Sequence, residues 1–571
     1  MSPIDSPEAE RPLHTKGHVR TAMGLLGNRL RLMFVLLTLE RIAVGFCDLM
    51  VAAAMYLLFL LLQGSSTGHH FWWMPRTGLL AAVISAVLVF LRGLMDLLSS
   101  RSVFRLVHNL HTEFLLRLTE GYSRLQWGSF VECNRSELSG HALHTAREAT
   151  DFYHRCIEMT ADVVIVAVMT AALVYQSLLA ACSLGIALAV FYGGHRFLIR
   201  RKLHRAASSR ETSLRMLRRH LADLFSSGKE IRTYGNEAFF QERIRRQAER
   251  VAASNLRVWF LPQLVRIVAD QGAVLVFLSI VIAVQLRQGD VRQLLSLLVF
   301  YFVLSRRLIP LISQISFIAG QLEGSYENVK VVDSELNKCR KYRTIALPRR
   351  LPDAGMVMQM MQVGFSFQGG TPILHNVNLS IREGETVMLY GASGIGKSSL
   401  LNLIAGVSQP VTGVMRIDRG RIAYVPQEIP LLDDSIRNNL LFGLPQKSDE
   451  ELMRALAVAK LDKFVAAQPL GLNARVGDNG ALFSCGERQR LGLARAILRG
   501  SQLLLLDETT SALDEKNEQQ VLENLNASGM AILLATHRAR TRSFAHRVFQ
   551  LVEGSLKEEI GLECQFGRTA I

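Results

Sequence analysis

The run Gly391-Ala-Ser-Gly-Ile-Gly-Lys397-Ser398 lies between a strand-like stretch, Val387-Met-Leu-Tyr390, and a helix-like stretch, Ser399-Leu-Leu-Asn-Leu-Ile404. Glycines at this spacing let backbone N–H groups and a helix N-terminus approach a polyphosphate. Gly391, Gly394 and Gly396 give the loop its freedom, with Ala392, Ser393 and Ile395 between them and Ser399 in the first helical turn. Lys397 then offers a point charge to the β- and γ-phosphates, and Ser398 a hydroxyl to Mg2+. A second apolar run, Leu503 to Leu506, ends in Asp507 and Glu508. Acids after such a strand can simply cap the next helix. Beside a phosphate loop they read as machinery, with Asp507 holding Mg2+ through water and Glu508 orienting and deprotonating the attacking water.

These residues need a scaffold, and the chain changes character where it begins. A basic, proline-containing stretch around Asn337 to Gly355 is followed by short apolar runs that alternate with helical segments and glycine-rich turns. That is an α/β pattern with buried strands. Before it, six apolar stretches have the ~20 residues that cross hydrocarbon; they fall at about 42–62, 78–98, 158–177, 178–198, 270–287 and 293–320. Helical periodicity continues past them, from Leu97 to Thr119 and from Leu198 to Leu221. Breaks at Gln126-Trp127-Gly128 and Ser226-Ser227-Gly228 predict short crosswise helices at the tips of two cytosolic extensions. The expected division is a cytoplasmic segment 1–30, a six-helix transmembrane domain 31–325, a linker 326–354 and an ATPase domain 355–571.

Composition agrees with this division. Among 571 residues 49% are hydrophobic, and a net charge of +16 is concentrated between the apolar stretches. Seven Lys/Arg fall between 101 and 156 and sixteen between 196 and 257, whereas the opposite-side loops hold Arg76, Arg287 and Arg292. Positive charge stays inside, so both termini and the ATPase domain are expected in the cytosol of a multi-pass membrane protein. Trp72 and Trp73 fit an interfacial belt. Seven cysteines without a CxxC pair describe neither a zinc site nor a disulfide framework. No nucleic-acid-binding module appears, so no nucleic acid partner is expected, and the polar, basic N-terminus reads as uncleaved.

The segment from about 355 to 560 resembles the nucleotide-binding domain of the ATP-binding-cassette family, with the family's motifs in the family's order. The resemblance implies that Phe367 stacks on adenine and that Gln427, in Tyr-Val-Pro-Gln, is a catalytic and Mg2+-contacting link to the membrane domain. It implies that Val476-Gly-Asp-Asn-Gly480 touches the crosswise helices, that Ser511-Ala-Leu-Asp514 crosses a dimer interface, and that His537 holds the γ-phosphate. The signature departs from the usual Leu-Ser-Gly-Gly-Gln: the chain reads Phe483-Ser484-Cys485-Gly486-Glu487. Ser484 and Gly486 remain to cap the ATP of the other subunit, Cys485 adds a side chain, and Glu487 adds negative charge. The stretch between Lys397 and Gln427 is short, which predicts a trimmed peripheral hairpin. Six spans before one ATPase domain resemble a half-transporter exporter, and one phosphate loop with one signature implies a homodimer that uses ATP and Mg2+.

The cargo is less sharply written. Glu40, Arg92, Asn134-Arg-Ser-Glu137 and Arg307-Leu-Ile-Pro310 resemble lipid-linked oligosaccharide flippases and are shared in part with peptide and drug exporters. Asp48, Arg92, Arg306 and Arg307 either face an interior cavity, or pair with one another or snorkel to the interface. A basic cavity suits a lipid-linked oligosaccharide or another amphipathic anionic molecule drawn from membrane lipid; a small processed peptide or drug-like molecule is the alternative. A regulatory protein that binds ATP with little turnover is a third reading, favoured by the signature and opposed by Lys397, Asp507, Glu508 and His537.

Overall fold

A computed structural model describes residues 21–62, 78–176, 200–286, 291–344, 351–367, 371–509 and 513–559. The chain divides into two compact units, Met1–Ser123 with Arg135–Lys341, and Arg124–Asn134 with Tyr342–Ile571.

The first unit is helical. Its long helices are α1 (Asn28–Leu62), α2 (Gly78–Ser123), α5 (Ala146–Gln176), α6 (Arg200–Ser226), α8 (Glu237–Leu286) and α9 (Val291–Lys341). Five of the six expected spans fall inside them; the fourth span, Trp72 and Trp73 lie outside the described residues. Among the described residues the run Leu79–Ser123 is by itself long and apolar enough to cross a membrane. Its Leu79, Phe90 and Leu97 are 80%, 75% and 67% exposed. A water-soluble surface rarely shows so much contiguous apolar side chain, whereas lipid tails solvate it. Where α1 meets α5, Gly45 allows close approach: a Cβ there would sit 2.1 Å from Ile165 Cγ1. Ala52, Ala161, Ile165 and Met169 pack with Leu308 and Leu311 of α9 into one buried cluster.

The breaks fall where the sequence puts them. The helix α2 ends at Ser123, and the short α3 (Trp127–Val131) and α4 (Arg135–Gly140) follow; α6 ends at Ser226, and α7 (Gly228–Tyr234) follows. Gly235 closes α7 in the left-handed region at φ +67°, which glycine enters without strain. The expected linker 326–354 is shorter than its composition suggests, because α9 runs on to Lys341. Val329, Val332, Leu336 and Cys339 recur at helical spacing and are buried, so packing outweighs the basic character of this stretch.

Asp48 and Arg92 face each other rather than a cavity. Arg92 Nε donates to Asp48 Oδ1 at 2.8 Å, and the neighbouring Arg41 pairs with Asp96. Two arginines and two aspartates thus tie α1 to α2 as a neutral set, which lowers the cost of charge in an apolar unit. Arg306 and Arg307 lie on α9, and their side chains are outside the described residues.

The second unit is α/β. A three-stranded antiparallel sheet, β1 (Met356–Ser366), β2 (Pro372–Arg382) and β4 (Thr412–Ile417), has the order β2-β1-β4. A six-stranded sheet has the order β5-β6-β7-β3-β8-β9, from β3 (Thr386–Tyr390), β5 (Ile422–Val425), β6 (Leu503–Asp507), β7 (Ala531–Thr536), β8 (Arg547–Val552) and β9 (Ser555–Glu558). Five strands are parallel and β9 is antiparallel. Strands covered on both faces read as continuous apolar runs, and Leu503–Leu506 are wholly buried. The trimmed hairpin is visible as a single strand: β4 pairs with β1 and passes through a turn at Arg419–Arg421 directly into β5.

The tip segment 124–134 belongs to this unit through a backbone clasp. Leu125 bridges Arg343, flanked by Gln126 N–H to Tyr342 O at 2.9 Å and Thr344 N–H to Arg124 O at 2.8 Å.

Candidate nucleotide-binding site

The functional residues gather at the carboxyl ends of adjacent parallel strands, where open α/β sheets place ligands. The phosphate loop follows β3, Asp507 ends β6 with Glu508 next, His537 follows β7, and Gln427 lies just past β5. The loop then opens α10 (Lys397–Ile404), whose N-cap Gly396 has φ +112°, with Gly394 at φ +80°. A side chain at either position would be strained, and a Cβ on Gly396 would meet Ile373 Cγ2 at 2.9 Å. The backbone is therefore drawn tight behind the loop, with its exposed face at Ala392, Ser393 and Gly394.

Lys397 is 4% exposed. Its ammonium donates to Gly391 O at 2.8 Å and Ala392 O at 2.9 Å and lies 3.9 Å from Glu508 Oε1. Glu508 is the hub of the site: Gln427 Nε2 donates to its Oε2 at 3.2 Å, and His537 Nδ1 lies 3.3 Å from its Oε1. Its backbone adopts φ +51° while its N–H still bonds Ala535 O at 2.9 Å. A non-glycine residue there stores on the order of 1 kcal/mol of strain, typical of functional positions.

Asp507 is buried, and desolvation pushes its pKa up, opposed by hydrogen bonds from Ser398 and Tyr424. A buried carboxylate beside a hydroxyl and an amide is a hard oxygen donor set suited to Mg2+. Ser398, Asp507 and the carbonyl oxygen of Gln427 would hold the ion, which would neutralise phosphate charge. Among the described residues no cluster of three or more His, Cys, Asp or Glu could hold a metal ion.

Other expected residues lie apart from this hub. Phe367 follows β1, 49% exposed and edge-on to Phe365 at 5.1 Å. Asp514 caps α12 (Glu515–Ala527), accepting from Asn517 N at 2.8 Å, while Ser511 lies outside the described residues. Ser484 caps α11 (Cys485–Leu498) in a reciprocal box: Glu487 N donates to its Oγ at 3.3 Å, and Ser484 N donates to Glu487 Oε2 at 2.7 Å. From the sequence alone, Glu487 is expected to add negative charge at the nucleotide. The structure instead engages its carboxylate on the helix's own N-terminus, and Ser-x-x-Glu is the sequence pattern that marks such a cap. Tyr424 is the residue that motif reasoning passes over: its hydroxyl donates to Asp507 Oδ2 at 3.2 Å.

Comparison with known proteins agrees with this geometry. Residues 374–511 match the ABC transporter family. The chain is 29% identical over 350 residues to the heterocyst differentiation ATP-binding protein HepA of Nostoc sp., covering 58% of this chain and 56% of that one. It is 32% identical over 340 residues to the ATP-dependent lipid A-core flippase of Bordetella avium, covering 57% and 56%. The flippase of Neisseria gonorrhoeae is 39% identical over 205 residues, 33% of each chain. The chain thus spans about half the length, or less, of these curated relatives. A solved bacterial Atm1-family ABC exporter with ATP bound superposes with a TM-score of 0.69 at 19% identity, covering 95% and 94% of the two chains. The fold and site define a P-loop ATPase unit joined to a helical membrane unit. Residues 374–511 thus carry the ATPase domain of the ABC transporters, and the chain as a whole has the fold of an exporter half-transporter.

Cys485 is exposed at the first position of α11. Its backbone φ is not left-handed, so its side chain costs nothing locally and can matter only to what approaches from outside. Cys485→Gly is expected to hydrolyse ATP at least as fast as wild type. A bulky maleimide should inhibit wild type but not the variant, with ATP protecting. Unchanged hydrolysis by alkylated wild type would show that no phosphate approaches this helix end.

Proposed function

We propose that the chain works as a homodimer that hydrolyses ATP with Mg2+ to export or flip an amphipathic, anionic, lipid-like molecule across the bacterial inner membrane. In this reading both termini and the ATPase domain lie in the cytosol. The observation that supports hydrolysis, rather than nucleotide binding alone, is Glu508 held at once by Lys397, Gln427 and His537. Lys397 and the loop backbone bind phosphate, Phe367 stacks on adenine, and His537 and Gln427 fix the Glu508 carboxylate that takes the proton from water. Ser484, Gly486 and Asp514 close the site from the partner chain. The engaged carboxylate of Glu487 weakens the regulatory reading, since less free charge opposes the nucleotide.

The lipid class rests on the flippases among the relatives and on Arg307. With Arg92 paired to Asp48, the adjacent arginines of α9 are the remaining candidates for gripping an anion. A guanidinium binds phosphate through two parallel hydrogen bonds that lysine cannot reproduce. Arg307→Lys is therefore expected to cut transport about tenfold, one charged hydrogen bond's worth, with basal hydrolysis nearly intact. The measurement is flipping of a labelled lipid-linked sugar in proteoliposomes, beside basal ATPase. Equal transport by wild type and Arg307→Ala would remove the anionic cargo and leave a processed peptide or drug-like molecule. No hydrolysis by wild type would leave the regulatory reading.

A further inference from the structure

Asp507 is 6% exposed at the end of a wholly buried strand. A carboxylate there has to be satisfied by fixed donors, and their positions set how it faces a cation. Its two donors come from different elements. Ser398, in the first turn of α10, is itself a proposed metal ligand. Tyr424 comes from β5, the strand beside β6, where it pairs in register with Leu505. Its ring packs against the core shared by β3, β6 and α10, and its hydroxyl reaches 3.2 Å from Asp507 Oδ2. The ring is anchored by packing and the oxygen by the hydrogen bond, so the carboxylate is held against rotation from behind.

We propose that Tyr424 is a positioning residue for the Mg2+ of the nucleotide site. By pinning Oδ2 of Asp507 it fixes the carboxylate beside the Ser398 hydroxyl, and these two groups would hold the ion. The inference rests on the nucleotide-site reading and adds to it a residue that does not itself touch nucleotide. The same strand end carries Gln427 onto Glu508, so Tyr424 in β5 and Gln427 just past it together contact both acids.

The test is Tyr424→Phe in the full-length protein in lipid nanodiscs, which removes one oxygen and keeps the ring. Binding of a fluorescent ATP analogue is measured first in EDTA, then across a Mg2+ titration. Mn2+ binding with a non-hydrolysable analogue is followed by loss of the free-ion EPR signal. The expected result is unchanged affinity in EDTA and a weakening of metal binding by about tenfold, the scale of losing a group that orients a ligand. In hydrolysis assays the Mg2+ requirement should rise more than the maximal rate falls. Wild-type metal affinity in the variant would overturn the proposal, and so would an equal loss of nucleotide affinity in EDTA, which would make Tyr424 a packing residue. If wild-type binding shows no metal dependence at all, the nucleotide-site reading falls and this inference with it.

Discussion

Glu508→Gln is expected to lower steady-state ATP hydrolysis by roughly 100- to 10,000-fold, the span of a lost general base, with ATP affinity essentially unchanged. The substitution keeps the shape of the side chain and the backbone at φ +51°. What it removes is the negative charge shared by Lys397, Gln427 and His537 and the ability to accept a proton. Affinity should survive because the phosphate contacts come from the loop and Lys397 rather than from Glu508. With hydrolysis blocked, two ATP-loaded chains should remain joined, and crosslinking between ATPase domains should persist in Mg2+-ATP and vanish in EDTA. Phosphate release within tenfold of wild type would show that another group activates the water. Lost ATP affinity would show that Glu508 holds the loop together.

The parts of this site that the sequence shows are those where chemistry dictates residue type at a fixed local spacing. Glycines at 391, 394 and 396 followed by Lys397 and Ser398 admit few other uses, and a leucine run ending in two acids reads as a buried strand meeting a charged ligand. The parallel sheet follows from the same runs. Less legible are the partners chosen across the fold. Tyr424 is an ordinary strand residue until β5 is laid beside β6. Arg92 could face a cavity until α1 brings Asp48 to 2.8 Å. The clasp between Leu125 and Arg343 is made of backbone hydrogen bonds, which leave no mark on side-chain types. The end of α9 is a different case, because its buried stripe from Val329 to Cys339 is visible in the sequence but sits among basic residues that resemble a linker. Glu487 is another local pattern, in which the capping spacing competes with a family comparison that draws attention to its charge.

Lys397→Ala should act at the opposite step from Glu508→Gln. The ammonium is buried and has three donors; two are directed at Gly391 O and Ala392 O, and Glu508 lies 3.9 Å away. Its position inside the curve of the loop makes it a fixed positive charge that a triphosphate would meet there. Truncating one partner of such a charge pair costs about 2–5 kcal/mol, or roughly 30- to several-thousand-fold in affinity at 1.4 kcal/mol per decade. The same change strips two loop carbonyls of their donor, so the protein without nucleotide should also melt earlier, by a loss of about 1–3 kcal/mol. Lys397→Met separates the loss of the ammonium from the loss of the buried stem, because it fills much of the same space while neither restoring the charge nor satisfying the carbonyls. Binding of a fluorescent ATP analogue and thermal melts of wild type and both variants supply the numbers. Both variants should bind weakly, with Lys397→Met closer to wild type in stability than Lys397→Ala, because it keeps the buried stem. Wild-type affinity in both, with slow hydrolysis, would mean that Lys397 acts only as the reaction proceeds and that the loop backbone alone binds the phosphates.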